Sequence, residues 1–312
     1  MVSNLSSKKK IIWAIDVFED DKVSRLNLIS TLKHLSSQRP VSIEPVYVLT
    51  PTDSESNTEE TELWIQHYRP SAEKVLKGVI DEISIEGLLP PVVITHSRPN
   101  REQTVKALIN YAEDSNADCI IIGTHARQGL TRLFLGSFAE TLLLYAKTPV
   151  LVVGPNAVRT QINHILFATD LSDKAHLIFE NVLKIAIDLK AKITIFHSLN
   201  LSLSPLLQSG VSLMGGGWVT PPDFMGPAET EKQKLAEKWI ALALEKGIIA
   251  NYSLSMGEGS ASQAILKDAE LKSVGLIALA AESGAAEAAI IGSITRQVVR
   301  EASCPVWVMR AK

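Results

Sequence analysis

The sequence predicts an α/β chain of two repeated, doubly wound parallel five-stranded sheets, Rossmann-like in layering. Three observations carry this. Apolar runs alternate with amphipathic segments of helix length. The runs are nearly continuous, as in Cys119-Ile120-Ile121-Ile122, so their strands are buried on both faces, as a parallel sheet covered by helices requires. And the pattern occurs twice in 312 residues, a length that suits two ordinary domains.

Copy one opens on an apolar run near 11–16 that closes on Asp16. An amphipathic stretch near 21–37 leads to strands near 43–49 and 92–96, with a helical stretch near 59–86 between them. A helix near 101–115 precedes the strand at 118–123, and another near 137–147 precedes the last strand at 149–153. Copy two repeats this with strands near 163–169, 192–198, 250–255, 275–280 and 305–309. Right-handed crossovers between such units place helices on both faces.

The repeat is visible residue by residue. KKIIWAIDVFEDD (Lys9 to Asp21) reads like INHILFATDLSDK (Ile162 to Lys174), and their aspartates Asp16 and Asp170 lie 154 residues apart. GSFAETLLLYAKTPVLVV (Gly136 to Val153) aligns without gaps to GSITRQVVREASCPVWVM (Gly292 to Met309), 156 residues on. The domains expected are 1–155 and 160–312, with a boundary near Gly154 to Gln161. The last strands, Pro149 to Val153 and Pro305 to Met309, are short, apolar and begin at proline, which suits an edge. Pairing them would cap both edges and pack the copies as a pseudo-dimer.

Composition removes several classes of function. A net charge of -3 gives no reason to expect DNA, RNA or an anionic membrane surface as partner. Two cysteines, Cys119 and Cys304, make no disulfide framework. No stretch approaches the roughly eighteen apolar residues of a membrane span. The run Ile11 to Ile15 is short and meets Asp16, unlike a signal peptide, so a cytoplasmic location is expected. The seven histidines are scattered, and none pairs with Cys, Asp or Glu at metal-ligand spacing. The turn after the first strand, Asp16 to Asp21, is acidic and without glycine, which argues against the usual dinucleotide fingerprint. Neither a Walker A loop nor a Gly-x-Ser-x-Gly elbow occurs.

On a doubly wound sheet ligands bind at the carboxyl ends of the strands. One loop there stands out: GTHARQGLTRLFLGS, Gly123 to Ser137. Gly123 ends a strand, where a missing side chain lets backbone approach a ligand. Gly136-Ser137 starts a helix, with Ser137 at or near the N-cap, and its free N–H groups are a natural seat for phosphate. His125, Arg127 and Arg132 add donors. A carboxylate such as Asp16 suits ribose hydroxyls and repels phosphate, so a nucleotide would spread its base and phosphates across the strand ends.

At these residues the chain resembles the universal stress protein family in its tandem, two-domain form. The family's nucleotide-binding members carry Gly-x-x-Gly-x9-Gly-Ser/Thr after the fourth strand and an Asp closing the first. This sequence matches with Gly123, Gly136, Ser137 and Asp16, and departs at the second glycine, which is Ala126. A Cβ there limits positive φ and close backbone approach. The resemblance implies a sheet order of 3-2-1-4-5, an ATP- or AMP-like ligand with or without Mg2+, and a stress-response role exercised by binding. It further implies that Asp16 contacts the ribose and adenine side, that Val48 lies against the base, and that the glycine loop and Ser137 hold the phosphates. The site set is Asp16, Val48, Gly123, Thr124, Ala126, Arg127, Arg132, Gly136, Ser137 and Phe138. No catalytic or metal residue is assigned, because no positioned general base or carboxylate pair shows in the phosphate loop. A slow metal-dependent ATP hydrolase and a scaffold or small-ligand binder without nucleotide are the alternatives.

The two copies differ where it matters. Opposite the Gly123 loop, copy two carries Ala280 for the first glycine, Ser283 at the second position, and one residue fewer before Gly292-Ser293. Copy one's loop holds Arg127 and Arg132 and no acid, while copy two's holds Glu282 and Glu287 and no base, so the formal charges are +2 and -2. Each charge near a phosphate is worth on the order of 1 kcal/mol. Copy one is therefore expected to carry the nucleotide. Copy two also has the long segment Leu201 to Pro227, whose Leu206, Leu207, Met214, Trp218 and Phe224 suit either a loop folded onto its own domain or a lid or contact surface over copy two's strand ends for an apolar ligand or a partner subunit. Further association into a homodimer is left open.

Overall fold

The computed structural model describes residues 8–16, 22–51, 58–96, 100–124, 136–200, 227–257, 259–281 and 291–310. Copy one folds as β1 (Lys9–Ala14), α1 (Lys22–Gln38), β2 (Val41–Leu49), α2 (Thr58–Asp81), β3 (Val92–Thr95), α3 (Arg101–Asp114), β4 (Cys119–Gly123), α4 (Ser137–Tyr145) and β5 (Val150–Val153). Copy two folds as β6 (His164–Ala168), α5 (Asp173–Leu189), β7 (Lys192–Asn200), α6 (Pro227–Glu245), β8 (Ala250–Gly257), α7 (Ala261–Leu271), β9 (Leu276–Ala280), α8 (Ser293–Glu301) and β10 (Val306–Met309). No helix among the described residues is long and apolar enough to cross a membrane.

The ten strands form one sheet in the order β3-β2-β1-β4-β5-β10-β9-β6-β7-β8. Each copy therefore has the expected 3-2-1-4-5 order, with parallel neighbours throughout. Burial on both faces explains the continuous apolar runs. One core layer lies under α1, α2, α5 and α6 and takes Ile11, Trp13, Ile121 and Phe167; the other lies under α3, α4, α7 and α8 and takes Ile12, Ile120 and Leu166. Each such side chain contributes about 1.5–3 kcal/mol by leaving water.

The copies join through β5 and β10, which pair antiparallel as the edge argument expects. The register places Val150 opposite Val308, Leu151 opposite Trp307 and Val152 opposite Val306. Counted from the start of each four-residue strand, Leu151 and Trp307 are the matching positions. A pseudo-two-fold axis thus passes between two unlike residues. A second unlike pair of matching positions, Glu140 and Arg296, meets across the join at 2.7 Å. In a dimer of identical chains such positions would face their own kind, and like charges would repel.

The stretch between β5 and β6 is not a loose tether. It runs along α1, held by Asn27 Nδ2 donating to the Pro155 carbonyl (3.0 Å), by the Ser30 and Thr160 hydroxyls (2.9 Å) and by the Ile162 N–H donating to His34 Nε2 (2.9 Å). Ala157 and Ile162 are fully buried beneath it. Gly275 makes room: a Cβ there would stand 2.2 Å from the Gln161 carbonyl oxygen. Burial holds the His34 imidazole below its ordinary pKa.

Strand and helix limits shift by a few residues from those expected. β1 stops at Ala14, so Asp16 stands two residues beyond the strand rather than closing it. The ladder nevertheless continues through Ile15, whose N–H donates to the Val46 carbonyl at 3.0 Å. α2 stops at Asp81 rather than near 86, where the Ile83 N–H turns back onto the Ile80 carbonyl.

Candidate functional site

The carboxyl ends of β1, β2 and β4 surround a cavity of about 320 Å³, at the small end of ligand sites. Strand order reverses there, since β1 is flanked by β2 on one side and β4 on the other. Its apolar lining comes from both layers: Val46, Val48, Leu108, Ile122 and Phe138 on the α3/α4 side, and Trp13, Ile15 and Leu28 on the α1/α2 side. Its polar lining is Asp16, Ser24, Arg25, Tyr47, Thr50, Thr104 and Thr124.

Each polar group is placed by local structure. Ser24, in the first turn of α1, donates its hydroxyl to the Thr124 carbonyl at 2.8 Å, and the Thr124 N–H donates to the Val153 carbonyl at 3.0 Å. These bonds tie the helix, the end of β4 and β5 into one frame. Tyr47 follows Val46 on β2 and so comes beside the Asp16 turn. Burial, reinforced by the Asp16 charge, pushes the Tyr47 phenol up to about 12, so it stays a neutral donor at physiological pH. An exposed carboxylate and a neutral phenol together suit a diol.

At the far side α4 begins. Gly136, not Ser137, is the N-cap, and no side chain among the described residues caps the helix; Ser137 is its first helical residue. The leading N–H groups of α4 thus have no side-chain acceptor among the described residues, and they form the positive end of a nine-residue helix dipole. Gly136 has an ordinary backbone, φ -53 and ψ 134, and a Cβ on it would meet nothing within 4 Å among the described residues. Neither strain nor packing against the described residues accounts for a glycine there.

Of the expected residues, Asp16, Val48, Gly123, Thr124, Gly136 and Phe138 line this cavity, and Ser137 adjoins it on α4. Ala126, Arg127 and Arg132, with His125, lie outside the described residues. Ser24, Arg25, Tyr47 and Thr50 were not anticipated. Ser24 and Arg25 belong to a helix whose register against the sheet no local pattern reveals. Tyr47 neighbours the expected Val48, and its alternation on β2 was the available signal.

Copy two has a different set at its strand ends. By the matching ladder bond, Thr169 N–H to the Phe196 carbonyl at 2.9 Å, His197 takes the place of Tyr47 and Ser198 that of Val48. His197 is buried, with Nδ1 2.8 Å from the Thr169 carbonyl and Nε2 near Lys232 (3.4 Å) and Glu229 (3.6 Å). Asp170 is engaged locally, its carboxylate accepting from the Ser172 N–H at 3.0 Å. Gly292 repeats the uncapped start of a helix, at φ -57 and ψ 147. The loop 282–290, with Glu282 and Glu287, and the segment 201–226 lie outside the described residues.

Comparison with known proteins gives the frame a family. Two universal stress proteins of Methanocaldococcus jannaschii are similar in sequence. One is 24% identical over 157 residues, covering 46% of this chain and 94% of its own length. The other is 46% identical over 46 residues, covering 15% of this chain and only 27% of its own length. A solved universal stress protein from Archaeoglobus fulgidus shares the fold, at 17% identity and a TM-score of 0.63, over 98% of this chain and 100% of that one. The sequence model of the Universal stress protein family matches twice, at residues 9–154 and 161–310, so the chain belongs to that family in tandem form.

Proposed function

We propose that this chain is a stress-response protein that binds an adenine nucleotide, ATP- or AMP-like, in copy one, and that it acts by binding rather than turnover. The observation that carries the proposal is the mixed lining of the strand-end cavity. Apolar walls that include Val48 and Phe138 suit a base. The Asp16 carboxylate and neutral Tyr47 phenol suit ribose hydroxyls. The uncapped start of α4, with Gly123, Thr124, Gly136 and Ser137, suits phosphate. Arg127 and Arg132 belong to the same loop and would supply charge, and Mg2+ would travel with the nucleotide. Residues 1–155 and 160–312 are proposed as the domains, working in the cytoplasm.

Two measurements test this. Mass spectrometry of a heat extract from freshly purified protein should reveal an adenine nucleotide. Titration calorimetry with AMP and with ATP plus Mg2+ should give one tight site per chain. Absence of both results would remove the nucleotide. Steady, metal-dependent ATP turnover abolished by Gly136→Val would replace binding by hydrolysis.

A further inference from the structure

A second cavity, of about 140 Å³, lies away from the strand ends just described, at the join between the copies. Its walls are the starts of β1, β4 and β5, the end of β10 and the last turns of α1 and α5. The floor is apolar, including Ile11, Cys119, Leu151, Leu189, Trp307 and Met309. The rim carries Lys9, Arg39 and Lys184 against Asp118 and Asp188.

The pseudo-two-fold axis explains why a cavity is there. α1 and α5 are both seventeen residues long, and position by position Ser30 and His34 match Asn181 and Ile185. Ser30 and His34 hold the linker, whose Ala157 and Ile162 fill the groove on their side. Asn181 and Ile185 instead line the open cavity. The duplicated fold therefore builds the groove twice, and the linker fills one.

Its dimensions and chemistry specify a ligand class. About 140 Å³ approaches the roughly 150 Å³ apolar cavity that takes up benzene. Three cations against two carboxylates leave the rim one positive charge in excess. Lys9 pairs with Asp118 and Arg39 with Asp188, leaving Lys184 without an ion-pair partner among the described residues. Trp307, 8% exposed in the wall, keeps its indole Nε1 buried with no acceptor among the described residues. Water gains little on such a floor, since a bound water needs two to four polar partners. We propose that this junction groove binds a small aromatic carboxylate, ring against Leu151 and Trp307 and carboxylate toward Lys184.

The test is 19F NMR of 4-fluorobenzoate with the full-length protein. Saturable line broadening is expected, unchanged by excess AMP, weakened at least five-fold by Lys184→Glu and weakened by Trp307→Phe. Lys184 is exposed, so its variant folds even where a core change fails, and 4-fluorophenol should respond less to it. No saturable broadening, broadening indifferent to Lys184→Glu, or displacement by AMP would each overturn the proposal. So would binding seen only after residues 2–7 are deleted, because the chain's own amino-terminal segment would then be the occupant.

Discussion

Copies one and two share strand order, the uncapped glycine at the last helix and an aspartate after the first strand, yet their strand ends do different things. In copy one Asp16, Tyr47, Val48 and Gly136 line a cavity of about 320 Å³. In copy two a different set stands at the strand ends, with His197 beside Thr169, Glu229 and Lys232, and Asp170 accepting from the Ser172 backbone. A duplicated frame keeps its backbone geometry while the side chains at its ligand end diverge. Backbone geometry is held by two core layers, whereas a residue at a strand end answers only to what it touches.

The largest expected effect lies in the paired glycines. Gly136→Val should weaken AMP binding at least a hundred-fold, about 2.7 kcal/mol, with little change in the melting temperature, because a Cβ there meets nothing within 4 Å among the described residues. Gly292→Val should leave calorimetry with AMP unchanged. Equal losses from both variants would erase the distinction between the copies.

Next comes the linker groove. Gly275→Ala sets a Cβ 2.2 Å from the Gln161 carbonyl oxygen and should cost about 1–3 kcal/mol, the usual price of overpacking. Urea unfolding would read it, with Gly136→Ala as the control that costs little. A Gly275→Ala midpoint equal to wild type would mean the linker is not seated as described.

Acid should act on both copies, through a half-buried imidazole at His34 and a buried one at His164. Burial lowers the pKa of His34 and of His164, the latter aided by Lys192. A depressed imidazole favours the neutral form in the folded state, so the unfolded state binds more protons and stability rises with pH. That stability is fully present above the ordinary imidazole pKa and is lost as pH falls through the folded value. Melting curves between pH 5 and 8 should show the slope, and His34→Gln with His164→Gln should flatten it. A slope unchanged in both variants would place the acid sensitivity elsewhere.

The smallest effect probes the axis itself. Glu140→Arg sets like charges across the join where Arg296 now pairs. Both groups are partly exposed, so about 0.5 kcal/mol is expected, recovered when Arg296→Glu is added. A double variant no more stable than the single one would show that this pair does not specify the join.

Much of the fold was legible in the chain alone. Continuous runs such as Cys119 to Ile122 announce a doubly buried strand, because helix cover on both faces leaves no position for a polar residue. The matching stretches at Gly136 and Gly292 announce the duplication, and prolines at 149 and 305 announce the edge strands that pair. That Asp16 and Gly123 come to the strand-end cavity was legible because they follow or end apolar runs, and Gly136 because a Gly-Ser pair opens the next helix.

Tertiary structure alone decided the rest. That Ser24 and Arg25 reach the cavity follows from how α1 packs on β4 and β5, a contact between residues a hundred positions apart. That Tyr47 stands against Asp16 follows from the β1–β2 register. That Leu151 faces Trp307 follows from the antiparallel register at the join. That one groove holds the linker while its twin stands open follows from a chain that crosses the axis between the copies along α1, past Ala157 and Ile162. Local pattern records which residues are buried, because burial has a period; it does not record which buried residues meet, because meeting depends on register and packing across the whole sheet.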